Sequence, residues 1–190
     1  MGVKLLSKLL KTECSDCVKK IHLQQLNGEK ICIDTSIYIY RYKSMNSLIE
    51  KFYLMCSIFK YYNIIPVFIF DGKPPIEKQE EINRRRESRE KAWKKYDELK
   101  AKFGNNPNKH QEKKLEALRR SVVKVKWDDI EVVKNLITSM GFKYIEAIGE
   151  ADKLCAALVR KNKVYGVLTE DMDLFCLLYT SDAADEHSWV

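Results

Sequence analysis

The residues that could do chemistry in this chain are carboxylates. Glu150-Ala151-Asp152 sets two acids at i and i+2, and Thr169-Glu170-Asp171-Met172-Asp173 sets two more at the same interval about twenty residues later. Four carboxylates within a few ångströms of one another raise each other's pKa values, so such a cluster is tolerable when a hard divalent cation neutralises it. Mg²⁺ takes oxygen ligands, and two such ions about 3.5–4 Å apart stabilise both the attacking and the leaving oxygen of an in-line phosphoryl displacement.

Two further acids stand at the ends of apolar runs. Ile31-Cys32-Ile33 leads into Asp34 after the turn at Gly28-Glu29-Lys30, and Ile64-Ile65-Pro66-Val67-Phe68-Ile69-Phe70 leads into Asp71. Both runs have the continuous apolar character of buried strands. Asp34 and Asp71 are therefore expected at strand C-terminal ends, the edge where open α/β sheets place their sites.

The elements between are legible by period. The first ten residues have the pattern of a short amphipathic helix, and Ser44 to Tyr62 reads as a helix burying Leu48, Phe52, Met55, Cys56 and Phe59. Trp127 to Met140 is a second amphipathic helix, stopped by Gly141, followed by a short strand over Phe142 to Ile145. Ala151 to Lys161 is expected to be a helix with Leu154, Ala157 and Leu158 inward, and Val164 to Leu168 a strand running into Asp171 and Asp173. The alternation predicts an α/β fold, a mostly parallel twisted sheet flanked by helices.

The net charge of +7 over 190 residues is local. Ile76 to Lys126 carries 17 Lys plus Arg against 9 Asp plus Glu, so the basic character sits in one segment. Glu77 to Lys102 consists of good helix formers, including Arg84, Arg85, Arg86, Arg89, Lys91, Lys94 and Lys95, with too few apolar residues to bury a face. Gly104 to Asn108 is a turn, and His110 to about Arg120 is a second exposed helix. A basic helical hairpin projecting over an acidic sheet edge suits a polyanion, nucleic acid above all.

Apolar residues at 45% and charged ones at 32% describe a globular chain. No run approaches the roughly 20 apolar residues of a membrane span, and the chain reads as soluble and intracellular. The six cysteines are scattered; Cys14-Ser15-Asp16-Cys17 has the spacing of half a zinc site but no second half follows, so all six read as reduced thiols.

Met1-Gly2-Val3, Ile33-Asp34-Thr35-Ser36, Val67 to Pro75, Glu150-Ala151-Asp152 and Thr169 to Asp173, taken together and in order, resemble the flap endonuclease/XPG nuclease family over about residues 1–176. The resemblance implies a PIN-like core spanning residues 1–178, with the arch or gateway at about 76–126 and residues 179–190 as a tail outside the domain. It implies a metal-dependent nuclease acting on 5′ flaps or single-strand/double-strand junctions of DNA in replication and repair. Two Mg²⁺ ions per site are expected, with Mn²⁺ able to substitute.

Matched residue by residue, Asp34, Asp71, Glu150, Asp152, Asp171 and Asp173 are the implied metal ligands, some through water. Lys78 and Arg85 match the arch residues that reach the scissile phosphate, and i to i+7 places them on one helix face. Tyr40 matches an aromatic that stacks on the base beside the cut. Gly2 is implied at the substrate, with Arg84, Arg86, Arg89, Lys94 and Lys95 on the DNA backbone. Asp152 stands where the flap endonuclease branch has Glu and the sister 5′-exonuclease branch has Asp, whereas Asp71-Gly72-Lys73-Pro74-Pro75 is of flap endonuclease type.

The family continues past the second acidic pair to a further aspartate in a Gly-Ser-Asp context and to a helical region that grips duplex DNA. These residues instead run from Cys176 to Val190, where Ser181-Asp182 only superficially matches that context, so a C-terminally truncated frame is expected. Two readings stay open: an active phosphodiesterase of either branch, acting as a monomer without a sliding-clamp motif and nuclear if eukaryotic, and a DNA-binding fragment with an incomplete site. A PIN-like RNase is a third, disfavoured by the hairpin and the Asp71 to Pro75 run.

Overall fold

The two apolar runs that end in acids are the central strands of a parallel sheet. A computed structural model describes residues 6–104 and 108–179. Within them β1 (Lys30–Asp34), β2 (Ile65–Phe70), β3 (Lys143–Glu146) and β4 (Gly166–Leu168) pair in the order β3-β2-β1-β4, each neighbouring pair parallel. The chain steps outward from β1 to β2 to β3 and then returns across the sheet to lay β4 beside β1. That reversal makes a topological switch point between β1 and β4, and ligands of open α/β sheets bind outside the strand ends at such a point.

Strand alternation divides the core between the two faces. Ile31, Ile33, Phe68 and Phe70 pack on one side with α3 (Leu48–Tyr61) and α6 (Trp127–Ser139), through Phe52, Cys56, Phe59, Val133 and Ile137. Cys32 and Ile69 face the other side, against Ala151, Cys155 and Ala156 of α7 (Ala151–Arg160) and Leu174 of α8 (Asp173–Tyr179). Leu154 and Leu158 of α7, expected inward, are only half-buried, as is Ala157. The small side chains of Ala151, Cys155 and Ala156 take the deepest positions, which lets the helix approach the sheet closely while the leucines flank the contact.

The helix expected over Ser44 to Tyr62 is α3, starting four residues later at Leu48, and it is preceded by a further helix, α2 (Thr35–Ser44), with Asn46 between them. Asn46, Asn63 and Asn162 each follow a helix end at φ 50–53°, and Gly141 does so after α6 at φ 79°. All four occupy the left-handed position that terminates helices, which asparagine and glycine tolerate best. Before α2 comes α1 (Leu6–Glu13), which overlaps the ten residues expected to form an amphipathic helix and runs on to Glu13.

The basic segment forms the expected hairpin. α4 (Gln79–Phe103) has no buried residue over its 25 positions, and α5 (Lys109–Ser121) packs along it. Ion pairs at i,i+4 run up α4, Arg84 with Glu80 and Arg86 with Glu90. Asn108 starts α5 with a capping box, its Oδ1 accepting from the Gln111 N–H at 2.9 Å while Gln111 Oε1 accepts from the Asn108 N–H at 2.8 Å.

Edge strand β3 is held by a buried lysine. Lys134 Nζ pairs with Glu146 at 2.7 Å and Glu131 at 2.9 Å, and lies 5.0 Å from the Trp127 ring centroid and 5.6 Å from those of Phe70 and Tyr144. Burial works against its charge, but the two carboxylates outweigh it and raise its pKa. Lys134→Ala is expected to cost about 2–3 kcal/mol through these lost contacts. A lower urea midpoint with an unchanged m-value is the check.

Candidate active site

Each strand that ends near the switch point delivers an acid. Asp34 closes β1 and is 7% exposed, and Asp71 follows β2 directly. Glu150 precedes α7 and Asp152 lies in its first turn; Asp171 follows β4, and Asp173 opens α8. The six are thus supplied by loops on the C-terminal edge of one parallel sheet.

Hydrogen bonds tie these loops together. Thr169 donates its hydroxyl to Asp34 Oδ2 at 3.4 Å, bridging the switch point between β4 and β1. Asp71 Oδ1 accepts from the Ala151 N–H at 2.8 Å, which fixes the β2 loop to the start of α7. Thr169 Oγ1 also accepts from the Asp171 N–H at 3.0 Å, and Asp171 Oδ1 from the Asp173 N–H at 2.9 Å. Glu150 pairs with Lys78, and Lys153 Nζ lies 3.8 Å from its other oxygen. The Lys153 N–H donates to Asp152 at 2.7 Å.

The electrostatics show that the acids share a field. Burial pushes the Asp34 carboxyl up to about 6, and the charges of Asp71, Asp152 and Asp171 add to it, against the Thr169 hydrogen bond. Asp152 is raised too, by burial first, then by Glu150 and Asp71, with the Lys153 N–H and Lys78 opposing. Lys78 is raised in turn by its hydrogen bond to Glu150. An all-oxygen donor set under mutual repulsion is the kind a hard divalent cation takes. As the side chains stand, no three metal-binding groups among the described residues converge closely enough to hold one ion. Asp34, Asp71, Glu150, Asp152 and Asp171 each accept from a neighbouring donor.

Glycine at position 72 is what lets two of these loops meet. Its N–H donates to the Gly149 carbonyl at 2.7 Å, and a Cβ there would stand 1.9 Å from the Ala147 oxygen and 2.8 Å from the Ile148 oxygen. Gly72→Ala must part the Asp71 loop from the loop leading to Glu150, at a cost of about 1–3 kcal/mol as for overpacking. Denaturant titration of the variant measures it.

The basic residues divide. Lys78, at the start of α4, reaches the carboxylates through Glu150, whereas Arg85 is turned along its own helix to Glu81 at 2.5 Å. Lys78 sits in a 3₁₀ turn and not in regular α-helix, so the i,i+7 rule does not carry its side chain to the place it gives Arg85. Arg84 and Arg86 are held by Glu80 and Glu90, Arg89 Nε donates to the Arg85 carbonyl at 3.3 Å, and Lys94 and Lys95 are exposed. Tyr40 is 49% exposed on α2, and its neighbour Arg41 pairs with Glu170 in the loop that carries Asp171. Gly2 and the tail from 180 lie outside the described residues. Thr169, Gly72 and the Arg41–Glu170 pair were not anticipated; the glycine directly after a strand-end acid was the available signal.

The family model for the XPG N-terminal domain matches residues 1–92 and that for the XPG I-region matches residues 141–181. All six carboxylates fall inside these two stretches. The chain belongs to the XPG family. Among XPG relatives, flap endonuclease 1 of Glossina morsitans morsitans is 34% identical over 189 residues, 91% of this chain and 47% of its own length. Human flap endonuclease 1 is 30% identical over 203 residues, 98% of this chain and 51% of its own. The chain spans about half the length of the curated relatives it matches. Among solved structures, the catalytic core of Rad2 in complex with DNA substrate aligns at a TM-score of 0.60 and 27% identity, covering 88% of this chain and 45% of that one. No helix among the described residues of this XPG chain is long and apolar enough to cross a membrane.

Proposed function

We propose that this chain is the catalytic half of a Mg²⁺-dependent, structure-specific 5′ nuclease that hydrolyses DNA phosphodiesters at flaps or single-strand/double-strand junctions. One observation carries the reading: the ends of β1, β2 and β4 and the start of α7 bring six acids to one sheet edge, where three of them raise the pKa of the buried fourth. Asp34, Asp71, Glu150, Asp152, Asp171 and Asp173 would hold two Mg²⁺ ions, or Mn²⁺ in their place. When bound, the ions supply charge neutralisation at the phosphate and at the attacking and leaving oxygens.

The chain's own residues do the rest. Lys78 exchanges Glu150 for the scissile phosphate, and Arg85 swings from Glu81 to the same group, each offsetting charge that grows in the transition state. Tyr40 stacks on the base beside the cut, while Gly2, Arg84, Arg86, Arg89, Lys94 and Lys95 hold the DNA by its backbone. The nuclease core spans residues 1–178, with 76–126 as the arch, and it acts as a monomer, in the nucleus if the source is eukaryotic.

A second reading is a DNA-binding fragment without turnover, or an exonuclease of the sister branch. The fragment reading is favoured by the splayed carboxylates among the described residues. Incubating the purified chain with a labelled 5′-flap duplex, a 5′-recessed duplex and a blunt duplex, in Mg²⁺ and in EDTA, tests all three. Mg²⁺-dependent release of the flap is the expected result. Binding without cleavage in Mg²⁺ and in Mn²⁺ would leave the fragment reading, and single-nucleotide products would indicate the exonuclease.

A further inference from the structure

We infer that Trp93 and Tyr96 form a base-stacking platform for single-stranded nucleic acid on the outer stretch of the arch. Trp93 is 51% exposed although tryptophan has the largest apolar ring of any residue, and α4 buries none of its residues, so the ring is not there to fill a core. It stacks on Tyr96 with ring centroids 5.7 Å apart and planes at 28°, and Lys100 Nζ lies 5.9 Å from the Tyr96 centroid. Arg86 and Arg89 precede Trp93 by seven and four residues, and Lys100 follows it by seven, so helical period sets these three cations on the same side as the ring, together with Glu90, which pairs with Arg86, and Asp97. Both aromatics lie beyond residues 1–92, the stretch that matches the family's N-terminal domain.

An exposed, pre-stacked aromatic pair flanked by cations matches one ligand chemistry: unpaired bases strung on phosphates. Base–aromatic stacking accepts any base because every base has a π face, whereas a duplex hides those faces and presents phosphates alone. The segment's excess of 17 basic over 9 acidic residues argues against an acidic-patch-seeking or neutral apolar partner. Trp93 stands eight residues past Arg85 on one continuous helix, about 12 Å further along its axis. A strand whose scissile phosphate lies at Lys78 and Arg85 would thus continue along α4 to the platform. The inference deepens the proposed nuclease reading by giving the unpaired strand a place to lie.

The test is binding in EDTA, where cleavage plays no part, by anisotropy of a 5′-labelled single-stranded oligonucleotide and of a blunt duplex of the same sequence. Trp93→Leu keeps apolar bulk without a ring face, and Trp93→Phe keeps a ring. The leucine variant is expected to bind the oligonucleotide about tenfold more weakly, with blunt-duplex affinity and the salt slope unchanged, and phenylalanine to recover most of the loss. Arg89→Ala should weaken both ligands and lower the salt slope by about one. Wild-type oligonucleotide affinity in Trp93→Leu, or equal losses on oligonucleotide and blunt duplex, overturns the platform. Loss of stacking in a chain that cuts nothing would sink the nuclease reading and leave the platform standing; flap cleavage with unchanged oligonucleotide binding would do the reverse.

Discussion

An Asp171→Ala chain is expected to lose Mg²⁺-dependent cleavage of a 5′-flap duplex while keeping most of its affinity for that duplex. Asp171 follows β4 at the switch point, and its charge is one of three that push on Asp34 across the β1–β4 gap. On the proposed reading, affinity for DNA resides elsewhere, on the basic hairpin of α4 and α5. Removing an outer partner of a metal ligand costs about 10–100-fold in metal affinity or activity, and removing a ligand itself should cost more. Because Asp171 Oδ1 also accepts from the Asp173 N–H, Asp171→Asn is the control. It preserves that hydrogen bond and removes the charge, so it should be as inactive as the alanine variant if the acid acts on a cation, and near wild type if it only shapes the loop. Cleavage at the wild-type rate by both variants would remove Asp171 from the site.

Much of this arrangement was legible because the sequence states it locally. A continuous apolar run that ends in an acid sets that acid at a strand terminus, so Asp34 and Asp71 could be placed from their flanks alone. The long helix with no apolar face had to project, and α4 does. What could not be read depends on packing. α2 was not anticipated because Ile37-Tyr38-Ile39-Tyr40 alternates β-branched and aromatic residues, and only burial of Thr35, Tyr38 and Ile39 on one side selects the helix. α8 is seven residues long, too short for its period to show, and is held by Leu174 against the α7 side of the sheet. The strand order was equally hidden: nothing local says that β4 returns to β1 instead of extending past β3. Arg85 turned to Glu81 for the simplest reason, an acid one helical turn away.

Asp34→Asn is expected to stabilise the metal-free chain at neutral pH by about 3 kcal/mol. The Asp34 carboxyl is raised from its ordinary 3.8 to about 6 in the folded chain, and each pKa unit corresponds to about 1.4 kcal/mol. The sign follows from proton counting. Between pH 3.8 and about 6 the folded chain holds a proton on Asp34 that the unfolded chain has released, so stability falls as pH rises through that window and stays low above it. Asparagine carries no charge at any pH, so the variant gains at pH 7 and changes little near pH 4. Urea midpoints of both chains in EDTA at the two pH values measure the difference. A divalent cation should close the gap at pH 7 by restoring the wild type, since it binds the folded form alone. Equal midpoints at both pH values would mean that Asp34 does not carry this repulsion.

Titrating Mn²⁺ into the metal-free chain by isothermal calorimetry at pH 7 tests most directly whether these six acids form a divalent-cation site. Mn²⁺ takes the same oxygen ligands as Mg²⁺ and stands at the weak-binding end of the divalent transition-metal series, so tight adventitious binding at surface nitrogens is limited. The expected result is saturable binding by the wild type that weakens at least tenfold in Asp171→Ala and in Asp34→Asn. Absence of saturable heat up to millimolar Mn²⁺, or identical isotherms for all three chains, would contradict the assignment of this sheet edge as a metal site.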